Sequence, residues 1–218
     1  MNENSNKKEK TIKVHITGYG LFEGIDINPT ELLVNKISAN LKDINKTLGS
    51  GLEIVHAEVL KVSIEEVNQR TQLINEKINS SFLENPNEIH FIIHLGVDCG
   101  AEEIHLESRC VNMCTGEDVD GNCIDGKIKR SGTNDYYDCK LDLDKICNEL
   151  NKKHKVDISN DAGDYLCNYV YYLSSTKWHN VENVYPLFIH SPSLETISSD
   201  MLYDCIMDFF RCIKKIYL

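Results

Sequence analysis

The sequence predicts an α/β protein built on a largely parallel central sheet. Segments of strand periodicity alternate with segments of helical periodicity along most of the 218-residue chain, the pattern of repeated strand–helix–strand units. One strand segment, Glu88–Val97 (EIHFIIHLGV), is almost continuously apolar, as a central strand covered on both faces must be. A chain of this length buries roughly 70% of its unfolded surface and needs no staples to hold a core.

The first strand is Thr11–Thr17, which alternates and stops at Gly18. The loop after it, Gly18–Gly24, carries three glycines and two aromatics, Tyr19 and Phe22, that read as exposed. Asn28-Pro29-Thr30-Glu31 announces a helix: Asn28 caps, Pro29 suits the first turn and Glu31 completes a capping box. Leu33, Ile37, Leu41 and Ile44 follow as one buried stripe. Leu52–Val62 is a second strand. Ser63 and Glu66 repeat the capping pattern ahead of a helix carried to Asn79 by Ile64, Val67, Ile74 and Ile78.

Beyond the central strand, Thr115–Asp138 stands apart. It is rich in glycine and charge and poor in apolar residues, and it reads as an irregular loop of the kind that is functional or mobile. Leu143, Ile146 and Leu150 mark a helix, and Val156–Ser159 a short strand. Tyr165–Ser174 is helical, Val184–His190 a strong strand, and Leu202–Ile216 a closing amphipathic helix. Met1–Lys10 (MNENSNKKEK) has no apolar core and reads as a disordered tail, with residues 11–218 as a single domain.

Composition narrows the function classes. With 41% hydrophobic and 26% charged residues the chain is neither disordered nor collagen-like. Lys and Arg total 23 against 34 Asp and Glu, a net charge of −11 that repels phosphate backbones, so no nucleic-acid partner is expected. No stretch approaches the ~18 apolar residues of a membrane span. Nine cysteines, an odd number with no secretory signal, point to reduced thiols and a cytoplasmic protein.

Three segments place reactive side chains where a core needs none. In Ser159–Tyr169 a short strand reaches a small-residue turn, and Cys167 follows in the first turns of a helix, where unpaired amides favour a nucleophilic thiolate. In Pro186–Pro192, His190 ends an apolar strand at the carboxyl edge of the sheet, the place for a general base and acid. In Ile104–Asn112, Glu107 is placed to orient an imidazole. Taken singly, each has a plainer role: a packed thiol, a structural histidine, a carboxylate paired with Arg109.

Together with their flanks these segments resemble pyroglutamyl peptidase I, the pyrrolidone carboxyl peptidase family of cysteine peptidases. The similarity runs from Val14 to the C-terminus and rests on five motifs in the family's order. They are Thr17–Gly24 with Asn28-Pro29-Thr30; His94-Leu95-Gly96; Leu106-Glu107 with Val111-Asn112; Asp161-Ala162-Gly163 through Tyr165-Leu166-Cys167-Asn168; and Phe188-Ile189-His190 with Pro192. The resemblance implies a three-layer α/β/α sandwich and a Glu107–Cys167–His190 triad. It also implies removal of N-terminal pyroglutamate from peptides, without metal or other cofactor. By similarity Tyr19, Phe22 and Asn28 shape the substrate pocket, with main chain near Val97 and Leu166.

The chain departs from the family's Phe-x-Pro-Phe-Gly-Gly first loop, with Tyr19 in place of the first phenylalanine, Leu21 of the proline and Glu23 of the first paired glycine, and at Glu117, where bacterial members have an arginine. The cysteine-rich stretch Cys99–Cys147 resembles a eukaryotic-like branch, so a monomer or weak homo-oligomer is expected in place of the bacterial tetramer. Two other readings compete: a non-catalytic binding protein on the same scaffold, and a cysteine hydrolase of another lactam or amide. Cys99, Cys110, Cys114 and Cys123 contain no C-x2-C pair, so no metal site is expected there.

Overall fold

The computed structural model describes residues 10–22, 24–129 and 131–218. The tail expected at residues 1–10 lies, apart from Lys10, outside the described residues, as does Glu23.

In chain order the elements are β1 (Ile12–Tyr19), α1 (Pro29–Ala39), α2 (Leu41–Leu48), β2 (Leu52–Leu60), α3 (Ile64–Glu84) and β3 (Ile89–Val97). Five short strands follow: β4 (Ile104–Glu107), β5 (Arg109–Val111), β6 (Cys114–Glu117), β7 (Cys123–Gly126) and β8 (Tyr136–Asp138). The chain ends with α4 (Leu143–Leu150), β9 (Val156–Ser159), α5 (Leu166–Trp178), β10 (Val184–Ser191) and α6 (Ser199–Tyr217).

The central sheet has the order β2-β1-β3-β10-β4-β9. β1, β2, β3 and β10 are mutually parallel, and β4 runs antiparallel to β10. The strand order reverses between β1 and β3, and in open α/β sheets ligands bind at the carboxyl edge of such a switch point. That edge is formed by Tyr19, Val97 and His190-Ser191, the last residues of β1, β3 and β10.

Alternation along each strand sorts the side chains onto two faces. One face (Ile12, Val14, Ile16, Phe91, Ile93, Leu187, Ile189) packs with α1, α2, α4 and α6 into the larger core. The other meets α3 and α5 and is far more polar. His15 and His90 are buried there with their rings 5.5 Å apart, and His94 sits between Thr17 Oγ1 (2.7 Å) and Ser174 Oγ (2.9 Å). Helices thus lie on both sides of the sheet, the α/β/α sandwich the resemblance implies.

The caps behave largely as their residue types require. Asn28 Oδ1 accepts from Thr30 N, and Ser63 Oγ from Glu66 N. Glu66 does not complete its box: its carboxylate accepts from Arg70 Nε instead.

Three expectations need correction. The helix expected from Asn28 past Ile44 is two helices, because Asn40 leaves helical geometry (φ −116°, ψ 21°) and its side-chain amide turns back to Lys36 O. Tyr19 is buried, not exposed, because its hydroxyl finds a carbonyl partner inside. Thr115–Asp138 is no irregular loop. It forms the β6–β7 hairpin, and then β8, which pairs with β5.

Candidate active site

Cys167 is the second residue of α5, a helix whose N-cap, Tyr165, makes no side-chain capping bond. The first-turn amides therefore keep no partner from the cap, and the positive end of the helix dipole lies at the sulfur. Among the nine cysteines Cys167 is neither sealed in the core nor freely exposed. Burial pushes Cys110 and Cys205 up to about 12 and Cys114 and Cys139 up to about 11, which leaves them as inert thiols.

Two features of the sheet make room for the sulfur. Gly96 on β3 pairs in register with His190 on β10, and a β-carbon on Gly96 would lie 2.9 Å from Cys167 Sγ and 2.6 Å from the Phe188 ring. Because residue 96 has no side chain, the sulfur and His190 can share one corner of the sheet.

His190 Nδ1 lies 2.7 Å from Glu107 Oε1, and Cys167 is close enough to act electrostatically on the same ring. Burial works against a charged imidazole here. The hydrogen bonds and attraction to Cys167 and Glu107 outweigh it and raise His190 to about 10, so at neutral pH the ring holds a proton between a carboxylate and a sulfur. Glu107 is fully buried, and its Oε2 has no hydrogen-bond partner among the described residues. The carboxylate is thus committed to His190. Glu107 reaches it because β4 runs antiparallel to β10, with His190 opposite His105 and Glu107 one same-face step further on.

α5 grips the strands that carry Glu107. Tyr171 Oη donates to Glu107 O (3.0 Å), while Asn168 Nδ2 donates to Val111 O and Met113 O, and its Oδ1 accepts from Val111 N. The helix that carries Cys167 and the strand that carries Glu107 are therefore one hydrogen-bonded unit. Asn168 belonged to a recognised motif without an assigned role, and only its partners 55 and 57 residues away reveal one.

The residues expected at the substrate pocket fall into two groups. Tyr19, Leu166 and Phe22 belong with Cys167 to one apolar cluster that also takes in Phe188, Tyr169, Tyr165 and Ile124. Tyr19 Oη donates to Leu166 O at 2.7 Å and ties β1 to the first turn of α5. Phe22 is half-buried and forms a one-residue bridge with Ile25. Asn28, by contrast, is fully buried, with Nδ2 on Gly20 O and Oδ1 engaged by Thr30. Its side chain is spent on holding the loop and leaves no free group. Val97 ends β3 opposite Ser191, with the next amide, Asp98 N, donating to Ser191 O. Among the described residues no three His, Cys, Asp or Glu side chains gather to hold a metal ion.

A thiol at a helix N-terminus, an imidazole at the end of the neighbouring strand and a buried carboxylate behind it define a cysteine-nucleophile hydrolase on an α/β/α sandwich. Residues 12–203 match the family described as pyroglutamyl peptidase, and the chain belongs to that family. It is 30% identical over 190 residues to the pyrrolidone-carboxylate peptidase of Pyrococcus furiosus, covering 83% of this chain and 81% of that protein. Identity is 32% over 187 residues to the Brachyspira hyodysenteriae pyrrolidone-carboxylate peptidase, 83% of each chain. The solved structure of a mutant pyrrolidone carboxyl peptidase from P. furiosus superposes with a TM-score of 0.76 at 25% identity, covering 94% of this chain and all (100%) of that one.

Proposed function

We propose that this chain is a cysteine exopeptidase that removes N-terminal pyroglutamyl residues from peptides through a thioester on Cys167. The observation that carries this reading is the position of His190, 2.7 Å from Glu107 and paired in register with Gly96, the residue whose missing side chain makes room for Cys167 Sγ, in a chain that matches the family over residues 12–203.

The chemistry follows from the atoms. Cys167 Sγ, its proton on His190, attacks the pyroglutamyl carbonyl. The C–N bond breaks as His190 returns that proton to the departing amine. A water molecule then gives a proton to His190 and its oxygen attacks the thioester; the C–S bond breaks, releasing pyroglutamic acid and restoring the Cys167 sulfur beside protonated His190. Glu107 holds the ring in orientation and offsets its charge throughout. A pyroglutamyl group is a lactam without a free α-amine, so a small apolar pocket with backbone hydrogen-bond partners suits it better than an anionic one. Tyr19, Phe22 and Leu166 supply such apolar surroundings, with main chain near Val97 beside them.

Among the described residues no helix is long and apolar enough to cross a membrane. A cytoplasmic location supplies the reducing conditions the thiol needs, and a monomer or weak homo-oligomer acting on peptides completes the reading. The eukaryotic-like affinity rests on the cysteine-rich stretch alone, since the relatives named above are archaeal and bacterial.

Fluorogenic pyroglutamyl, prolyl and glutaminyl substrates test it. Only the pyroglutamyl compound should be cleaved, and Cys167→Ser should abolish that cleavage with the fold intact. Equal cleavage of the prolyl compound removes lactam selectivity, and cleavage of none identifies a binding protein on the same scaffold.

A further inference from the structure

The β6–β7 hairpin is the part of the chain that the catalytic reading leaves unused, and it is fastened with unusual economy. Asp118, 5% exposed, sits just past β6. Its Oδ2 accepts from Ile64 N (2.8 Å), the first amide of α3, and its Oδ1 accepts from Asp120 N and Asn122 N (both 2.9 Å). Asn122 Nδ2 lies 3.3 and 3.2 Å from the two oxygens. The carboxylate thus closes the hairpin turn and bolts it to the β2–α3 junction, where Val119 N also donates to Val62 O (3.2 Å) and Lys61 pairs with Asp120. Burial pushes the Asp118 carboxyl up, but the N–H donors from Ile64, Asn122 and Asp120 outweigh it and hold the group below its ordinary range.

The other side of the hairpin meets the nucleophile helix. Thr115 N donates to Asp164 O (2.6 Å) and Thr115 Oγ1 to Asp164 Oδ2 (2.8 Å). Tyr165 Oη donates to Glu117 O (2.9 Å). Gly116 lies flat on the Tyr165 ring: at φ 104°, a β-carbon there would meet the ring at 3.2 Å. Tyr165 is the N-cap of α5, two residues before Cys167, and Ile124 of β7 joins the apolar cluster that contains Cys167, Tyr19 and Phe22.

We infer that Asp118 is a positioning residue for the peptidase reaction: by clamping the hairpin to the β2–α3 junction it holds Tyr165 and Ile124 in place around the nucleophile. The inference rests on the peptidase reading above and adds to it a residue outside the triad. Every group on the carboxylate is a donor, so an amide in its place would turn one N–H pair against another. Asp118→Asn is therefore the sharp substitution: its size is right and its hydrogen bonding is wrong.

The test measures kcat and KM on the fluorogenic pyroglutamyl substrate for wild type, Asp118→Asn, Tyr165→Phe and the double variant. Limited trypsin digestion at Lys127 and Lys129, compared with Lys155, runs alongside. Asp118→Asn should raise KM about tenfold while changing kcat less than threefold, and should speed cleavage at Lys127 and Lys129 but not at Lys155. Tyr165→Phe should move KM in the same direction. The double variant should be no worse than the worse single, because both act through one contact. Faster digestion with unchanged KM overturns the positioning role, and unchanged digestion overturns the clamp. Equal proportional loss of kcat in every variant, tracking a loss of folded protein, reduces Asp118 to a stability residue and likewise overturns it. A wild type that leaves the pyroglutamyl substrate uncut defeats the peptidase reading and the positioning role with it, while the digestion still decides the clamp.

Discussion

Gly96 and Cys167 compete for the same small volume: a β-carbon on the glycine would come within 2.9 Å of the sulfur. Neither neighbour can yield easily, since Phe188 closes the other side at 2.6 Å and is itself fully buried. Gly96→Ala should therefore push the sulfur off its line to the substrate carbonyl. A misplacement on the order of 1 Å costs about a hundredfold in rate, and overpacking costs about 1–3 kcal/mol of stability. The variant should fold, lose about two orders of magnitude in kcat, and show a lower urea midpoint. A kcat within threefold of wild type would show that the sulfur has room this geometry denies it.

Glu107→Gln keeps the shape of the side chain and removes its charge. Burial then works on His190 with one attraction fewer, so the imidazole should fall from about 10 and lose its fixed orientation. Turnover should drop by roughly 10- to 1,000-fold, less than the loss in Cys167→Ser, because the residue orients and does not react. The pH profile of kcat/KM should also shift its His190 limb to lower pH. A silent substitution takes Glu107 out of the triad.

Tyr19→Phe deletes one hydroxyl, the donor to Leu166 O. Loss of a buried hydrogen bond should cost about 1 kcal/mol, and the loosened first turn of α5 should lower kcat/KM about three- to tenfold. Thermal unfolding and steady-state kinetics read the two effects separately. If both stay at wild-type values, the tie between β1 and the nucleophile helix has no role in the reaction.

The second face of the sheet predicts acid sensitivity. Burial, with charged neighbours adding to it, lowers His15 to about 3, and burial alone takes His94 to about 3. His90 falls to about 4, by burial offset in part by Glu88. An unfolded histidine titrates near 6.5, so between roughly pH 6.5 and 4 the unfolded chain binds more protons and stability falls with pH. Each group contributes at most about 1.4 kcal/mol per pH unit across that window. His190 has the opposite sign: raised to about 10, it stabilises fully below about 6.5 and loses that contribution as pH rises toward 10. Urea unfolding from pH 7.5 to 4.5 should show stability highest near pH 6.5, falling toward 7.5 as the His190 contribution is lost and falling below 6.5 through the three buried histidines, with a shallower acid-side decline in His94→Gln. A flat profile down to pH 5 is incompatible with three neutral buried imidazoles.

Much of this fold was legible because it is written in local patterns. The apolar run of β3 and the cap of α1 depend on neighbours in sequence, and they stand at Ile89–Val97 and at Asn28 as the pattern requires. So does the location of Cys167 at the start of α5. The hairpin was illegible for the converse reason. Its turn is organised by one carboxylate that reaches back 54 residues to Ile64, and its apolar content is too small to announce strands. Likewise the break at Asn40 interrupts a stripe that is continuous in hydrophobicity, and no periodicity reports a side chain folding back on Lys36 O. The triad's members were individually ordinary residues. What joins Glu107 to His190 is the antiparallel setting of β4, a topological fact with no local signature.

The position of β10 in the sheet order has a consequence for how the protein comes into being. It is translated after both β3 and β4, yet it lies between them in the sheet. Until it arrives, those two strands have open edges toward each other, and open edges recruit whatever extended chain is nearby. A nascent chain that has not reached β10 therefore lacks more than His190: its sheet is in two halves and Glu107 has, among the described residues, no hydrogen-bond partner for its carboxylate. Joining the two halves of the sheet and bringing His190 to Glu107 are therefore one event.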